Sequence, residues 1–304
     1  MKKQNYFVII FISLLALNSI RLIAQDKVGV LVLAHGGSSS WDETVIKAVE
    51  PLKNDYPVEI AFGMAVPRAM QEGINKLETE GVNKIVVAQL FISSYSPIIR
   101  QNEYLLGIRK ELADEPMLMD HSAGAHSNHH SMNNTNAIEL KPLNFNAEIF
   151  LAKPLDDHPL VSDIVYERIM ELSNSPENET VILVAHGPND EEDNRMWVKT
   201  LDNIADQVRA KNKDFKNIFC MTVRDDAPEE IYEMAKENLR NIVNQASKDG
   251  NAIVVPILLS QGGIEKGIVK RLEGLEYEWS GKTLLPHENI TDFLNTSVKS
   301  ALKD

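Results

Sequence analysis

Two histidines stand where chemistry is expected. His35 closes the apolar run Val28–Gly37, VGVLVLAHGG, and His186 closes Val181–Gly187, VILVAHG. A neutral imidazole near pH 7 can ligate a transition metal or accept a proton. The phrase AHG returns half a chain later, so the sequence reads as a duplicated unit with one histidine at the end of each first strand. In open α/β sheets the carboxyl ends of the strands are where ligands bind. The competing role for either ring is to satisfy backbone groups at a strand–helix turn, and a duplicated motif can outlive its use in one copy. A third group of imidazoles lies in the stretch EPMLMDHSAGAHSNHHSMNNTN. Here His121, His126, His129 and His130 sit among Met117, Met119 and Met132. Several imidazoles on one polar segment can hold a transition metal reversibly, and thioethers add a preference for Cu(I).

Several chemistries are excluded by what is missing. HGG also occurs in oxyanion loops of α/β hydrolases, but the chain has no G-x-S-x-G nucleophile elbow. Ala34 and Ala185 precede the two histidines, where a phosphohistidine phosphatase would want arginine. Neither a Walker P-loop nor a dinucleotide fingerprint is present. The formal charge of −13 argues against a nucleic-acid partner. The single cysteine, Cys220, rules out an intramolecular disulfide, a cysteine-ligated iron–sulfur cluster and a zinc ribbon; its apolar run IFCMTV makes it a core thiol. His158, in DDHP, reads as a helix cap, as do Asp156 and Asp157, and His287 receives no functional role.

The elements that must position these residues follow from periodicity. Short apolar strands are expected at 28–34, 57–62, 84–91 and 147–151, alternating with helices at 41–53, 67–79, 98–113 and 160–173. The second half repeats the order with strands 180–185, 216–222, 252–258 and 282–285 and helices 191–211, 228–247, 263–275 and 289–302. Strand–helix alternation predicts an α/β fold of two tandem, helix-flanked parallel sheets related by internal duplication. The expected boundaries are a first unit over 26–174, interrupted by a long polar loop at 115–146, and a second over 178–304. Residues 1–25 read as a secretory signal peptide, with Lys2 and Lys3 ahead of an apolar run from Tyr6 to Leu17. That run is short for a membrane span, so a periplasmic or secreted protein with no stable span after processing is expected, an uncleaved anchor being the alternative.

The ordered set resembles one family. Strand–AHG, then VAQLFISSYSPIIRQ, then PLDDHPLVSDIVYERI, echoed by VAHGPNDEEDN and VVPILLSQGG, is similar to the class II tetrapyrrole chelatases, the sirohydrochlorin cobaltochelatase and ferrochelatase group. The resemblance covers about residues 27–110 and 147–304. It implies chelatase-like units that insert a divalent metal (cobalt, nickel or iron) into a sirohydrochlorin-type tetrapyrrole, the metal being a substrate and no organic cofactor being bound. The family's first histidine falls on His35 and its copy His186, as metal ligands and bases. The places of the family's second histidine read Ser94-Tyr95-Ser96 and Gly262-Gly263-Ile264. The missing ligand would then come from the opposite unit's histidine, from Glu103, from Glu265, or from the segment holding His121, His126, His129 and His130. A substrate rich in carboxylates facing an acidic protein needs local cations, and Arg68, Arg100, Arg224 and Lys266 lie near the expected strand ends. The rival is an exported metal- or tetrapyrrole-binding protein without turnover.

Overall fold

The computed structural model describes residues 26–112, 140–212 and 214–303. The proposed signal peptide and the four clustered histidines lie outside these residues. The first unit contains β1 (Val28–Ala34), α1 (Ser39–Val49), β2 (Val58–Phe62), α2 (Pro67–Thr79), β3 (Lys84–Leu90), α3 (Pro97–Leu105), β4 (Glu148–Leu151) and α4 (Pro159–Met170). The second contains β5 (Glu179–Ala185), α5 (Glu191–Lys211), β6 (Asn217–Thr222), α6 (Glu229–Asp249), β7 (Asn251–Ile257), α7 (Ile264–Arg271) and α8 (Glu288–Ala301). Among the described residues no helix is long and apolar enough to cross a membrane.

Both sheets are parallel, with strand orders β2-β1-β3-β4 and β6-β5-β7. The strand that carries each AHG phrase is therefore flanked on both sides, and its residues are buried on both faces. Such strands need unbroken apolar sequence, which VGVLVLA and ETVILVA supply.

Three departures from the sequence reading have local causes. Helix α3 ends at Leu105 rather than 113, because Gly107 takes φ +70° and turns the chain out of the helix. Helix α7 likewise stops at Arg271, ahead of Gly274 at φ +83°. The strand expected at 282–285 does not form. The chain meets β7 through a single bridge, Ile253 with Glu278; Gly281 at φ +68° interrupts the path; and Leu284 and Leu285 then donate to Leu258 O and Leu259 O at 2.9 and 2.8 Å.

The side-chain alternation of β1 and β5 divides the apolar residues among three cores. Val30, Val32 and Ala34 point the same way as one another, and so do Val181, Leu183 and Ala185; these two sets share one core with residues of α1, α4, α5 and α8. Leu31 and Leu33 face a separate core with residues of α2 and α3. Ile182 and Val184 face a third with residues of α6 and α7. The result is five layers, in which four helices lie between the two sheets and both units contribute to the central layer.

Two histidines fasten that central layer. His158 caps α4, its Nδ1 accepting from Leu160 N at 3.2 Å, and its ring meets Phe293 of α8 edge-on at 5.1 Å. His287 caps α8 in the same way, Nδ1 accepting from Asn289 N at 3.1 Å, while Nε2 donates to Glu167 of α4 at 2.9 Å. Each ring thus ends its own helix and touches the other unit's.

Burial holds His158 below the usual imidazole range, against a smaller opposing pull from Asp157. A depressed folded value means that the unfolded chain binds the proton more readily. The contribution is therefore complete above the unfolded value of about 6.5 and is lost as pH falls below it. Melting temperature should drop on going from pH 8 toward pH 5.5. In His158→Asn, which keeps a capping oxygen without a titrating ring, the drop should be smaller; an equal drop in both proteins would show that His158 does not contribute.

Candidate functional site at the sheet mouths

The two AHG turns are built alike. In each, the glycine after the histidine takes φ +77° (Gly36 and Gly187), a left-handed conformation that costs a side-chain-bearing residue free energy. At Gly187 a Cβ would also collide with Thr222. The chain can then reverse direction after the strand and begin the next helix, leaving the histidine at the mouth. Ser38 starts α1 by accepting from Trp41 N at 3.3 Å, and Asp42 accepts from Gly37 N at 2.9 Å. Asp190 starts α5 by accepting from Asp193 N at 2.8 Å.

The geometry around His35 chooses a tautomer. Its Nδ1 lies 2.6 Å from Gly36 O. A carbonyl only accepts, so Nδ1 carries the proton and Nε2 carries the lone pair. The ring is half-buried and tilted against Trp41, with centroids 6.2 Å apart. His186 is also half-buried, and its Nε2 lies 3.5 Å from Asp226 Oδ1.

Contacts between the units put both mouths on one side of the molecule. From the first turns of α1, Thr44 Oγ1 meets Ser260 Oγ, just beyond β7, at 2.8 Å, and Trp41 reaches Gly262. From the first turns of α5, Trp197 Nε1 donates to Tyr95 O at 2.5 Å, and Asp193 takes both terminal nitrogens of Arg100 at 3.0 and 2.7 Å. Each unit's first helix therefore docks by its amino end on the loop after the other unit's third strand. Tyr95, in one of those loops, is exposed. The same loop is pinned by Asp156, which sits at φ +43° and accepts from Ser94 N and Ser94 Oγ at 2.7 and 2.6 Å.

The other residues singled out from sequence divide sharply. Arg224 is a correction: it is buried, and its guanidinium binds Pro188 O, Asn189 O and Glu191, tying the turn after His186 rather than facing a ligand. Arg100 is partly exposed and pairs with Asp193 across the unit boundary, an interaction that raises its pKa above the ordinary arginine value against desolvation. Arg68 is exposed and paired with Glu72 at 2.8 Å, and Lys266 is exposed on α7. The two glutamates are not gathered around the histidines as a ligand shell. Glu103 pairs with Arg109 at 3.1 Å, and Glu265 accepts from Gly262 N at 2.9 Å at the start of α7. Among the described residues no group of three or more His, Cys, Asp or Glu side chains is arranged to hold a metal. Burial raises the Cys220 thiol far above its ordinary value, which makes it unreactive.

Sequence reasoning missed Trp41, Trp197, Tyr95 and Asp226. For Asp226 a signal existed: VRDDAP follows β6, the strand beside the one that carries His186. For Trp197 there was none, because its partner Tyr95 O lies in the opposite unit; Trp41 stands six residues after His35 in sequence, but its reach to Gly262 is likewise a contact between units.

No family model matches the chain. The chain is 29% identical over 148 residues to the sirohydrochlorin cobaltochelatase of Methanopyrus kandleri, a match that covers 47% of this chain and 96% of that protein. It is 27% identical over 148 residues to the sirohydrochlorin cobaltochelatase of Methanothermobacter thermautotrophicus, covering 48% and 92%. Nearly the whole of each relative therefore fits on about half of this chain. Among solved structures, SirB from Bacillus subtilis with Fe3+ superposes with a TM-score of 0.59 over 90% of this chain and 95% of that one, at 16% identity. The helix-flanked pair of parallel sheets is thus the fold of a chelatase, and the sequence similarity supports a relationship to the class II chelatases.

If the Arg100–Asp193 pair braces the mouth, Arg100→Gln and Asp193→Asn should each lower stability by about 1–3 kcal/mol, the range for a partly buried, charge-assisted pair losing a partner. Urea denaturation of the two variants and the double variant measures the coupling. Losses no larger than those of exposed surface substitutions would mean that Arg100 is not committed to this contact.

Proposed function

We propose that this protein inserts a divalent metal, cobalt, nickel or iron, into a sirohydrochlorin-type tetrapyrrole. The observation that carries the reading is His35: a half-buried imidazole with its lone pair on Nε2, at the mouth of a chelatase-fold sheet. The similarity to sirohydrochlorin cobaltochelatases supports the substrate class.

The chemistry asked of the residues is limited. Two pyrrole N–H protons must leave as the metal enters. His35 Nε2 takes one of these protons or hands over the metal, as a neutral imidazole with its other nitrogen held by Gly36 O can do. His186 is the second contributor, with Asp226 Oδ1 at 3.5 Å from its Nε2. Imidazole ligation suits cobalt, nickel and iron alike, so ligand type does not choose among them. Of the cations first considered, Arg68 and Lys266 remain exposed to meet substrate carboxylates, while Arg100 and Arg224 act within the protein. In the same reading the segment with His121, His126, His129 and His130 gathers metal, residues 1–25 direct export, and no organic cofactor takes part.

One observation favours a second reading, binding without turnover. The loops after β3 and β7 read Ser94-Tyr95-Ser96 and Gly262-Gly263-Ile264, so neither supplies a second imidazole beside the first.

Anaerobic assays with sirohydrochlorin and Co2+, Ni2+ or Fe2+ separate the two, because metal incorporation changes the absorbance spectrum of the ring. The proposal expects insertion faster than the uncatalysed rate, at least about tenfold slower in His35→Ala, and a smaller loss in His186→Ala; a tenfold loss corresponds to about 1.4 kcal/mol of barrier. Undiminished insertion by His35→Ala removes the mechanism. Ring binding without acceleration by the unmodified protein selects the binding reading.

A further inference from the structure

The outer face of the second unit has a feature that the mouth chemistry does not use. Between α6 and α7 lies a pocket of about 400 Å³, lined by Tyr232, Lys236, Arg240, Lys270, Arg271 and Glu273 among others. Four of those six side chains are cationic, in a chain whose formal charge is −13. Lys270 and Arg271 end α7, so the pocket lies at the far end of that helix from the mouth, about 12 Å away along eight residues at 1.5 Å each.

Part of this charge has a structural use. Arg271 is buried; it donates to Val223 O and Asp225 Oδ1 at 2.6 and 2.8 Å and stacks over the Tyr232 ring at 3.8 Å. Its buried Nε has no hydrogen-bond partner. Lys236 meets Glu233 at 2.9 Å. Lys270, in the last turn of α7, also suits the negative end of the helix dipole. These roles leave a remainder. Arg240 spends Nη1 on two main-chain carbonyls, Arg271 O at 2.5 Å and Glu273 O at 3.1 Å. Carbonyl oxygens do not neutralise its charge, and a guanidinium has further N–H donors on Nε and Nη2. Lys270 is exposed beside it.

The first unit shows what covers the equivalent surface when it is not needed. There, residues 140–145 lie across α2 and α3: Tyr104 donates to Leu140 O, Gln71 exchanges hydrogen bonds with Asn144, and Leu140, Leu143 and Phe145 join the core beneath. The second unit has no such insertion, because α7 is followed within a few residues by the chain that runs beside β7.

We propose that the α6–α7 pocket is a binding site for a small polyanion bearing phosphate or carboxylate groups, held by Arg240, Lys270 and Lys236 against the Tyr232 wall. Its volume is within the range of small-molecule sites, about 300–1,000 Å³. The proposal is independent of the chelatase reading, and neither stands on the other.

Isothermal titration of the full chain with pyrophosphate and with citrate, in metal-free buffer, tests it. Lys236→Gln/Lys270→Gln removes two charges and leaves the main-chain contacts of Arg240 and Arg271 in place, so the variant should fold. The expected result is saturable binding of one or both probes by the unmodified protein, weakened at least about tenfold in the double variant and unchanged in His35→Ala; tenfold corresponds to about 1.4 kcal/mol. Pyrophosphate alone assigns phosphate chemistry, and citrate alone assigns carboxylate chemistry. No binding of either probe up to about 10 mM, equal binding in the double variant, or binding lost in His35→Ala overturns the proposal, the millimolar limit being that of weak association.

Discussion

The two sheets cannot be separated without opening the apolar layer between them. One face of β1 and one face of β5 are covered chiefly by the helices α1, α4, α5 and α8, and those helices come from both units. Val30, Val32, Val181 and Leu183 are wholly buried there. Transfer of such side chains from water is worth about 1.5–3 kcal/mol each, so even a few of them outweigh any single polar contact at the boundary. The hydrogen bonds and ion pairs across that boundary act on a different problem. An apolar layer resists separation but tolerates sliding; Arg100 with Asp193, Trp197 with Tyr95 O, and Thr44 with Ser260 fix where one unit sits on the other. All three lie at the strand ends, beside the histidines; others, such as buried Arg168 with Thr283 O and Lys211 with Asp163, fix the rest of the boundary.

That arrangement explains which features the two units share. The AHG turns keep the same glycine conformation, and the cap histidines His158 and His287 make the same bond to their own helices. What differs is what each meets. His158 packs on an aromatic ring and His287 on a carboxylate; His35 leans on Trp41 and His186 on Asp226. A backbone requirement admits one solution and persists in both copies. A side-chain contact depends on what each histidine packs against, within its own unit for His35 and His186 and in the opposite unit for His158 and His287, and so it differs between the two units.

The same distinction sets how much was legible in the sequence. Strand and helix order follows from short-range periodicity, and α2 (67–79) and α5 (191–211) have the limits that pattern predicts. The ends that moved, at α3 and α7, moved for glycines whose positive φ depends on where the chain must go next. The expected last strand failed because LLP follows an apolar pattern in a segment that Gly281 had already taken out of register. At the site, His35 and His186 could be placed at strand ends from repetition alone. Arg100 and Arg224 could not be told from ligand-facing cations, since nothing in a linear sequence shows that Asp193 or the carbonyls of Pro188 and Asn189 are waiting for them. The role of His158 as a cap was readable because a cap is local.

Charge gives the remaining constraint on the mouth. A protein of formal charge −13 repels polyanions at long range, although at physiological salt that repulsion fades within about 8 Å. Binding of a carboxylated ring is then decided by groups at contact distance, not by the net charge. With Arg224 buried and Arg100 paired to Asp193, the electrostatic pull at contact would come from fewer cations than the sequence displays. One aromatic ring is exposed at the mouth, Tyr95 on the loop after β3, while Trp41 and Trp197 are buried in the central layer beneath it. Flat apolar faces attract a planar conjugated ring whatever charges it bears at its rim. Tyr95 is exposed while its main chain is held by Trp197 and its loop by Asp156, so its ring is presented from a fixed backbone. Under the proposed function, recognition through the ring face would ask less of metal ligands at the mouth than recognition through charge and ligation alone.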